Sequence, residues 1–428
     1  MNECGDRCFS EWKAGLNLVG YARPKGVHLM PAASFKRSRR AASLSLSEIV
    51  RISEAARALR AEGRDVLTFG TGEPDFPTPP HVIEAAHQAA LGGQTSYPPT
   101  QGTPELRKAI ATQAGFDCDP AQVIVSTGAK QVLSNAFSAS LDPGDEVIVP
   151  APYWTSYGDI IDFCEATLVP VACSAEEGFL LTPAALEAAI TDKTRWLLLN
   201  TPGNPSGAMY SEADLKALAE VLRRHPHVWV IADEIYQHIA YAPFTSFVVA
   251  APDLAERTLI VNGVSKAHAM TGWRLGWGIG PVDLVKAMVA VQGQSTSGAS
   301  SISQAAALAA LQGPQDHLPT RNAAFRERRD RVVAALNAMK GIECPEPQGA
   351  FYVFPSCKGA IGKRRPDGSV ITDDADFCDY ILNEANVALV PGRAFGLPGH
   401  FRLSYAYAMA DLETGLARIG TAVDALAE

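Results

Sequence analysis

Lys266 stands between Ser265 and Ala267, just beyond the apolar run 258–261 and the turn pair Asn262-Gly263. A lysine between small residues past a strand end can be desolvated and still reachable. Desolvation disfavours the ammonium, so the amine becomes a nucleophile able to form a Schiff base with a carbonyl. Arg274 follows within Trp273-Arg-Leu-Gly276, and a guanidinium binds phosphate bidentately. Together with the Ser265 hydroxyl it makes an anion clamp beside a carbonyl trap, the two devices that pyridoxal 5′-phosphate requires. Taken alone, the same residues would equally suit a solvated surface turn.

That cofactor stores electrons through a protonated ring nitrogen and needs a carboxylate there. Asp233 ends an apolar run and is a candidate, although a lone Asp in that place suits a helix N-cap as well. Tyr236 can hydrogen-bond the ring hydroxyl, or pack in the core with its own hydroxyl satisfied. Gly128 and Ala129 offer backbone N–H groups at a helix start, where the dipole favours anions, a property common to all helix starts. Trp154, after Pro152, can stack on the ring, although an isolated tryptophan is more often core. Asn204 precedes Pro205 and can donate to the ring oxygen, but spacing alone favours a turn former. Arg402 falls on a predicted strand, Phe401-Arg-Leu-Ser404, among apolar neighbours. Buried arginines need a partner, so an internal salt bridge or a ligand carboxylate is expected, and the ligand is preferred.

The elements that carry these residues alternate. Strands are predicted over 66–69, 123–126, 146–149, 196–199, 228–231, 258–261 and 275–280, and helices over 47–60, 81–91, 104–113 and 131–140. Alternation of this kind predicts an α/β fold with a mostly parallel sheet. The polar candidates cluster just past the carboxyl ends of strands, the edge at which open α/β sheets bind ligands. Beyond about residue 320 the pattern changes to a charged helix over 321–339, strands over 348–354, 387–390 and 400–404, and a closing helix over 409–427. These predict a second, α+β region. Residues 1–40 carry no clear periodicity and read as a disordered extension, with Met30 a candidate translation start.

Composition narrows the class of partner. The chain of 428 residues is 47% hydrophobic and 19% charged, as in ordinary globular proteins. Its net charge of −9 argues against nucleic-acid and anionic-membrane surfaces. No run approaches the roughly 18 apolar residues a membrane span needs. The 8 cysteines are scattered without paired CxxC units, so they read as free thiols of a cytoplasmic protein rather than a zinc site.

The motifs Thr71-Gly-Glu-Pro-Asp-Phe76, Tyr97-Pro-Pro, Gly128-Ala-Lys130, Pro152-Tyr-Trp154, Asn204-Pro-Ser-Gly207, Asp233-Glu-Ile-Tyr236, Ser265-Lys266, Thr271-Gly-Trp-Arg274 and Phe401-Arg-Leu-Ser404 occur in one order. In that order the chain, over roughly 43–428, resembles class I pyridoxal-phosphate-dependent aminotransferases of fold type I, similar to bacterial aspartate aminotransferases. The resemblance implies Lys266 as the Schiff-base lysine and proton carrier. It implies Asp233 on the ring nitrogen, Tyr236 and Asn204 on the ring oxygen, and Trp154 stacked. Gly128, Ala129, Ser265 and Arg274 would hold the phosphate. Tyr97 would reach the phosphate of a neighbouring subunit, implying a homodimer with shared active sites. Gly72 and Arg402 would hold the substrate α-carboxylate, with Lys130 the partner of a distal one. Trp154 and Asn204 would also touch substrate.

The implied domains are a small one over 43–77 and 318–428, a large cofactor-binding one over 78–317, and the extension 1–42. The implied reaction is ping-pong transamination between an L-amino acid, aspartate favoured, and a 2-oxo acid such as 2-oxoglutarate or oxaloacetate. Members of the resembled family that prefer aspartate usually carry Ser-x-Thr at the start of the N-terminal helix, where this chain reads Ser47-Glu48-Ile49. A lost donor to a charged group costs about 1.5–3 kcal/mol, enough to shift preference. Arg51 could replace that donor, though a solvated helix face suits it better. Aromatic, neutral or prephenate-type specificity, or a β-lyase reaction, are the alternatives within the fold. A transcription regulator with an aminotransferase-like sensor would need a DNA-binding domain larger than residues 1–40 provide.

Overall fold

Apolar runs punctuated by glycine, proline and small polar residues become twelve strands in the computed structural model, which describes residues 35–44 and 48–427. In chain order they are β1 (Leu67–Thr68), β2 (Val123–Ser126), β3 (Glu146–Ala151), β4 (Thr167–Ala172), β5 (Thr194–Asn200), β6 (Trp229–Asp233), β7 (Thr258–Gly263), β8 (Gly276–Ile279), β9 (Tyr352–Val353), β10 (Val387–Ala388), β11 (Val390–Pro391) and β12 (Phe401–Ser404). Seven of them form the central sheet, in the order β2-β8-β7-β6-β5-β3-β4. The run from β4 to β7 is parallel, while β8 is antiparallel to both β7 and β2. The predicted α/β class with a mostly parallel sheet is present.

β7 is buried at every position and β5 and β6 nearly so, because helices cover both faces. Alternate residues feed two cores. Leu197, Leu199, Val230, Ala232 and Ile260 pack toward helices Pro80–Leu91, Pro104–Gln113, Glu212–Arg224 and Ser301–Gln312. Trp196, Leu198, Ile231, Leu259 and Val261 pack toward helices Ala129–Ser140, Ser156–Phe163 and Val282–Gly293. Local signals set the helix ends. Ser211, for example, accepts from the Asp214 N–H while Asp214 accepts from the Ser211 N–H, closing a capping box ahead of Glu212–Arg224.

The remaining strands make a three-stranded sheet, β11-β12-β9, and a parallel pair, β1-β10. Helices His317–Asn337, Asp374–Ala385 and Met409–Asp424 enclose a further core with Phe351, Phe377, Phe401 and Leu403. Helix Glu48–Ala61 packs Ile52 and Ala56 against Val390 and Phe395 in another.

Several expectations need correction. The predicted strand 348–354 shrinks to Tyr352–Val353, because Gly349 and Ala350 turn the chain, Ala350 at φ 55°. The predicted strand 387–390 divides into β10 and β11, which pair with different partners. The helix predicted over 321–339 begins earlier, at His317, and the last helix stops at Asp424. Residues 39–42, assigned to the extension, belong to a helix, Arg39–Ser43. There Arg39 pairs with Glu165, and the Arg40 guanidinium lies 5.7 Å from the Phe163 ring centroid. Met30 and Ser47 lie outside the described residues. Among the described residues no helix is long and apolar enough to cross a membrane.

Candidate active site

A cavity of about 380 Å³ opens at the carboxyl ends of β5, β6 and β7. Parallel register sets Asn200, Asp233 and Val261 side by side, so the sheet delivers the first polar groups at one level. Asn200 Nδ2 donates to the Asp233 carbonyl at 2.9 Å, and Asn200 Oδ1 accepts from the Asn204 N–H at 2.8 Å.

Asp233 is 4% exposed, and burial pushes its carboxyl up to about 6. Its Oδ2 accepts from the Tyr157 hydroxyl at 2.7 Å, and its Oδ1 accepts from the Ile235 N–H at 3.3 Å. Turns rather than a helix follow it, so the N-cap alternative falls. Lys266 lies on the loop after β7, and its Nζ donates to the Gly72 carbonyl at 2.7 Å. Burial lowers this amine to about 8, against the opposing pull of the Glu73 carboxylate. Amine and carboxylate line one cavity, both moved toward their neutral forms by the same dry surroundings.

Most of the residues expected to hold an anion come together. Ala129, Ser265 and Arg274 line the cavity, and no side chain caps the helix that starts at Ala129. Gly128 is not among the lining residues but backs them at φ 84°, where a Cβ would fall 2.7 Å from Arg274 Nη2. Arg274 is left-handed, φ 54° and ψ 60°, and its Nη1 donates to the Thr271 carbonyl at 2.8 Å. Gly276, the first residue of β8, lets the helix start come close: a Cβ there would run into the Ala129 nitrogen and lie 2.8 Å from the Gly128 carbonyl carbon.

On the opposite wall Arg402 is 2% exposed. Its Nη1 donates to Asn204 Oδ1 at 2.9 Å and its Nη2 to the Gly70 carbonyl at 2.5 Å, while Nε has no partner. The guanidinium lies between the rings of Tyr352 and Phe395, at 4.8 and 4.9 Å from their centroids. No carboxylate pairs with it among the described residues, so the internal-salt-bridge alternative is not realised. Tyr236 is buried, with its hydroxyl 2.8 Å from that of Tyr352. Gly72 also lines the cavity, with the Tyr352 hydroxyl packed against it. Lys130 Nζ lies 4.9 Å from the Trp154 ring centroid and donates to Ser156 Oγ at 3.0 Å.

Tyr97 stands apart, outside the cavity lining and 94% exposed. Ile49 does line the cavity, whereas Arg51 bonds Glu48 at 2.9 Å and lies 3.7 Å from Asp379 on a solvated face. Sequence reasoning missed Tyr157, Tyr352 and Asn200. Asn200 carried a readable signal, a polar residue ending an apolar strand. Tyr157 and Tyr352 carried none, since their partners lie far away in the chain.

Fold and cavity together define an α/β enzyme whose reactive groups hang from the carboxyl edge of its sheet. Residues 64–419 match the model of the family described as aminotransferase class I and II, and the chain belongs to that family. Among its relatives, the aspartate aminotransferase of Rhizobium meliloti (strain 1021) is 54% identical over 401 residues, 92% of this chain and 98% of that protein. The aspartate/prephenate aminotransferase of Cereibacter sphaeroides is 50% identical over 379 residues, 87% of this chain and 95% of that one. The crystal structure of an aspartate aminotransferase from Rhizobium meliloti superposes with a TM-score of 0.90 at 53% identity, covering 92% of this chain and all of that one (100%). Aspartate aminotransferase from Thermus thermophilus with maleate gives 0.84 at 40% identity, covering 91% and 100%.

Proposed function

We propose that this chain binds pyridoxal 5′-phosphate in the cavity and moves the amino group of an L-amino acid, aspartate favoured, to a 2-oxo acid of the 2-oxoglutarate or oxaloacetate type. The observation that carries the reading is one cavity holding a half-buried amine, Lys266, and a buried carboxylate, Asp233, beside an uncapped helix start flanked by Arg274. The donor set fits the cofactor. Ala129 N–H, Ser265 and Arg274 suit its phosphate, with Gly128 leaving room behind them. Asp233 suits the ring nitrogen, Tyr236 and Asn204 the ring oxygen, and Trp154 one ring face.

When bound, the cofactor supplies an aldehyde and an electron-withdrawing ring that holds the amino group between two half-reactions. Lys266 would be the residue that holds the aldehyde covalently, and its amine, when free, would take the proton from the substrate Cα. An amine lowered to about 8 is about one-tenth neutral at pH 7, several hundred times more than an ordinary lysine. Asp233 stabilises positive charge on the ring nitrogen. Arg402 holds the α-carboxylate, with Gly72 beside it, and Lys130 faces a distal carboxylate. The relative crystallised with maleate, a dicarboxylate, supports a dicarboxylate as the class of substrate. Ile49 offers no hydrogen bond there, which weakens the preference for acidic side chains. A second reading, transamination of prephenate, draws support from the relatives named aspartate/prephenate aminotransferase.

The same proposal takes the protein as a cytoplasmic homodimer, with Tyr97 serving the partner's cofactor phosphate. It takes 43–77 and 318–428 as a small domain on the large domain 78–317. The core around Phe377 is drawn mainly from 318–428, with Phe69 from 43–77 and Ile235, Tyr236 and Ile239 joining it from the large domain, and its bulk supports that division.

Borohydride reduction of cofactor-loaded protein followed by peptide mapping tests the chemistry. Label on Lys266 is expected, and label elsewhere or nowhere overturns the reading. Specificity has its own test. Arg402→Ala should lower kcat/KM for every amino acid, and Lys130→Ala for acidic ones alone, each by about tenfold to a hundredfold. Equal losses for alanine and aspartate in the Lys130 variant would refute the distal assignment.

A further inference from the structure

Tyr157 lies on the first turn of helix Ser156–Phe163, 1% exposed, and touches two groups of the site at once. Its hydroxyl donates to Asp233 Oδ2 at 2.7 Å. Its ring meets the Trp154 indole edge to face, with centroids 5.3 Å apart and planes at 88°. The other carboxylate oxygen receives only the longer bond from the Ile235 N–H, at 3.3 Å. Among the described residues, no other side chain donates to this carboxylate.

We infer that Tyr157 is the positioning residue of Asp233: its hydroxyl keeps that carboxylate ionised and in one rotamer, while its ring edge fixes the plane of Trp154. The inference rests on the reading of Asp233 as the partner of the cofactor's ring nitrogen. Burial favours the neutral acid, which could not balance a protonated ring nitrogen, so the ionised form needs a donor. The phenol is suited to that task. Burial and the adjacent carboxylate push its pKa well above the ordinary value, so its proton stays put and the direction of donation is fixed. The two contacts are separable. The hydroxyl acts on charge and the ring on stacking, so one substitution can remove the first and spare the second.

Pyridoxal 5′-phosphate affinity, measured across pH on wild type and Tyr157→Phe, tests this. The variant keeps the edge contact and loses the donor. The acid limb of affinity should move up by roughly one pH unit. At neutral pH kcat should fall about tenfold while KM for the amino donor stays within about twofold, and borohydride should still label Lys266. Replacing Tyr157 with 3-fluorotyrosine, a stronger donor of nearly the same shape, should move the limb the other way. If Tyr157→Phe does not fold, the fluorinated protein decides alone. An acid limb that stays in place in these proteins overturns the inference, as does a lowered melting temperature as the only change. Asp233→Asn separates the two levels. If it binds cofactor like wild type at every pH, the reading of Asp233 falls and takes this inference with it. If it is impaired while Tyr157→Phe matches wild type, only the inference falls.

Discussion

Lys266 sits where an ammonium is poorly solvated, and the folded state bears the cost. Its amine is lowered from 10.5 to about 8, so between those values the unfolded chain holds a proton that the folded chain does not. Stability therefore rises with pH across that window, and the penalty is fully present below about 8. Lys266→Met removes the penalty and the hydrogen bond to Gly72. Cofactor-free variant protein should be more stable than wild type at pH 7 by on the order of 2 kcal/mol. Denaturant melts should show the gain shrinking above pH 8, lost before pH 10.5 and slightly reversed there, where the missing hydrogen bond outweighs what is left of the penalty. A gain that does not vary with pH would point to packing instead. Lys266, Asp233 and Arg402 were legible in the sequence because a charged residue at the end of an apolar run, or within one, conflicts with its surroundings. Tyr157 and Tyr352 were not, because a buried tyrosine agrees with its surroundings. Their importance arises only when folding joins hydroxyls to groups 76 and 116 positions away.

Close approach between elements governs the anion cradle. Gly263 and Gly276 face each other across the antiparallel β7–β8 pair, and Gly276 also faces the start of helix Ala129–Ser140. Gly276→Ala should push that helix start away, at a cost of about 1–3 kcal/mol in stability. Its diagnostic effect is on ligand choice. If backbone N–H groups and the helix dipole serve the phosphate as proposed, the preference for pyridoxal phosphate over pyridoxal should fall by about tenfold. An unchanged ratio would show that Arg274 and Ser265 suffice. Most strands were readable from periodicity, with ends a residue or two short, whereas helices such as Glu212–Arg224, Ser301–Gln312 and Asp374–Ala385 went unassigned. β4 went unread because Pro170 interrupts its sequence. An edge strand tolerates proline, since one side of it makes no ladder bonds, and β4 pairs only with β3. The strand predicted over 348–354 failed for the opposite reason, an apolar run bent by Gly349 and Ala350 before it could pair.

Across the whole molecule, Tyr97 is the candidate furthest from agreement with its own cavity. At 94% exposure it cannot act there, and Ile83 and Leu91, 49% and 69% exposed, lie on the nearby helix Pro80–Leu91. A shared-site homodimer makes sense of that surface. Inactive Tyr97→Ala and Lys266→Ala proteins, mixed and allowed to exchange subunits, should regain activity. In a hybrid, one site has both native residues, so random pairing restores about a quarter of all sites. Activity equal to the average of the two variants would exclude sharing. The antiparallel turn-back of β8 has its own consequence. Lys266 and Arg274 hang from a single connection, 264–275, tied at both ends to paired strands. On the proposed reading the covalent anchor and the phosphate anchor would thus form one transplantable cassette, around which substrate walls could be exchanged without resetting the distance between them.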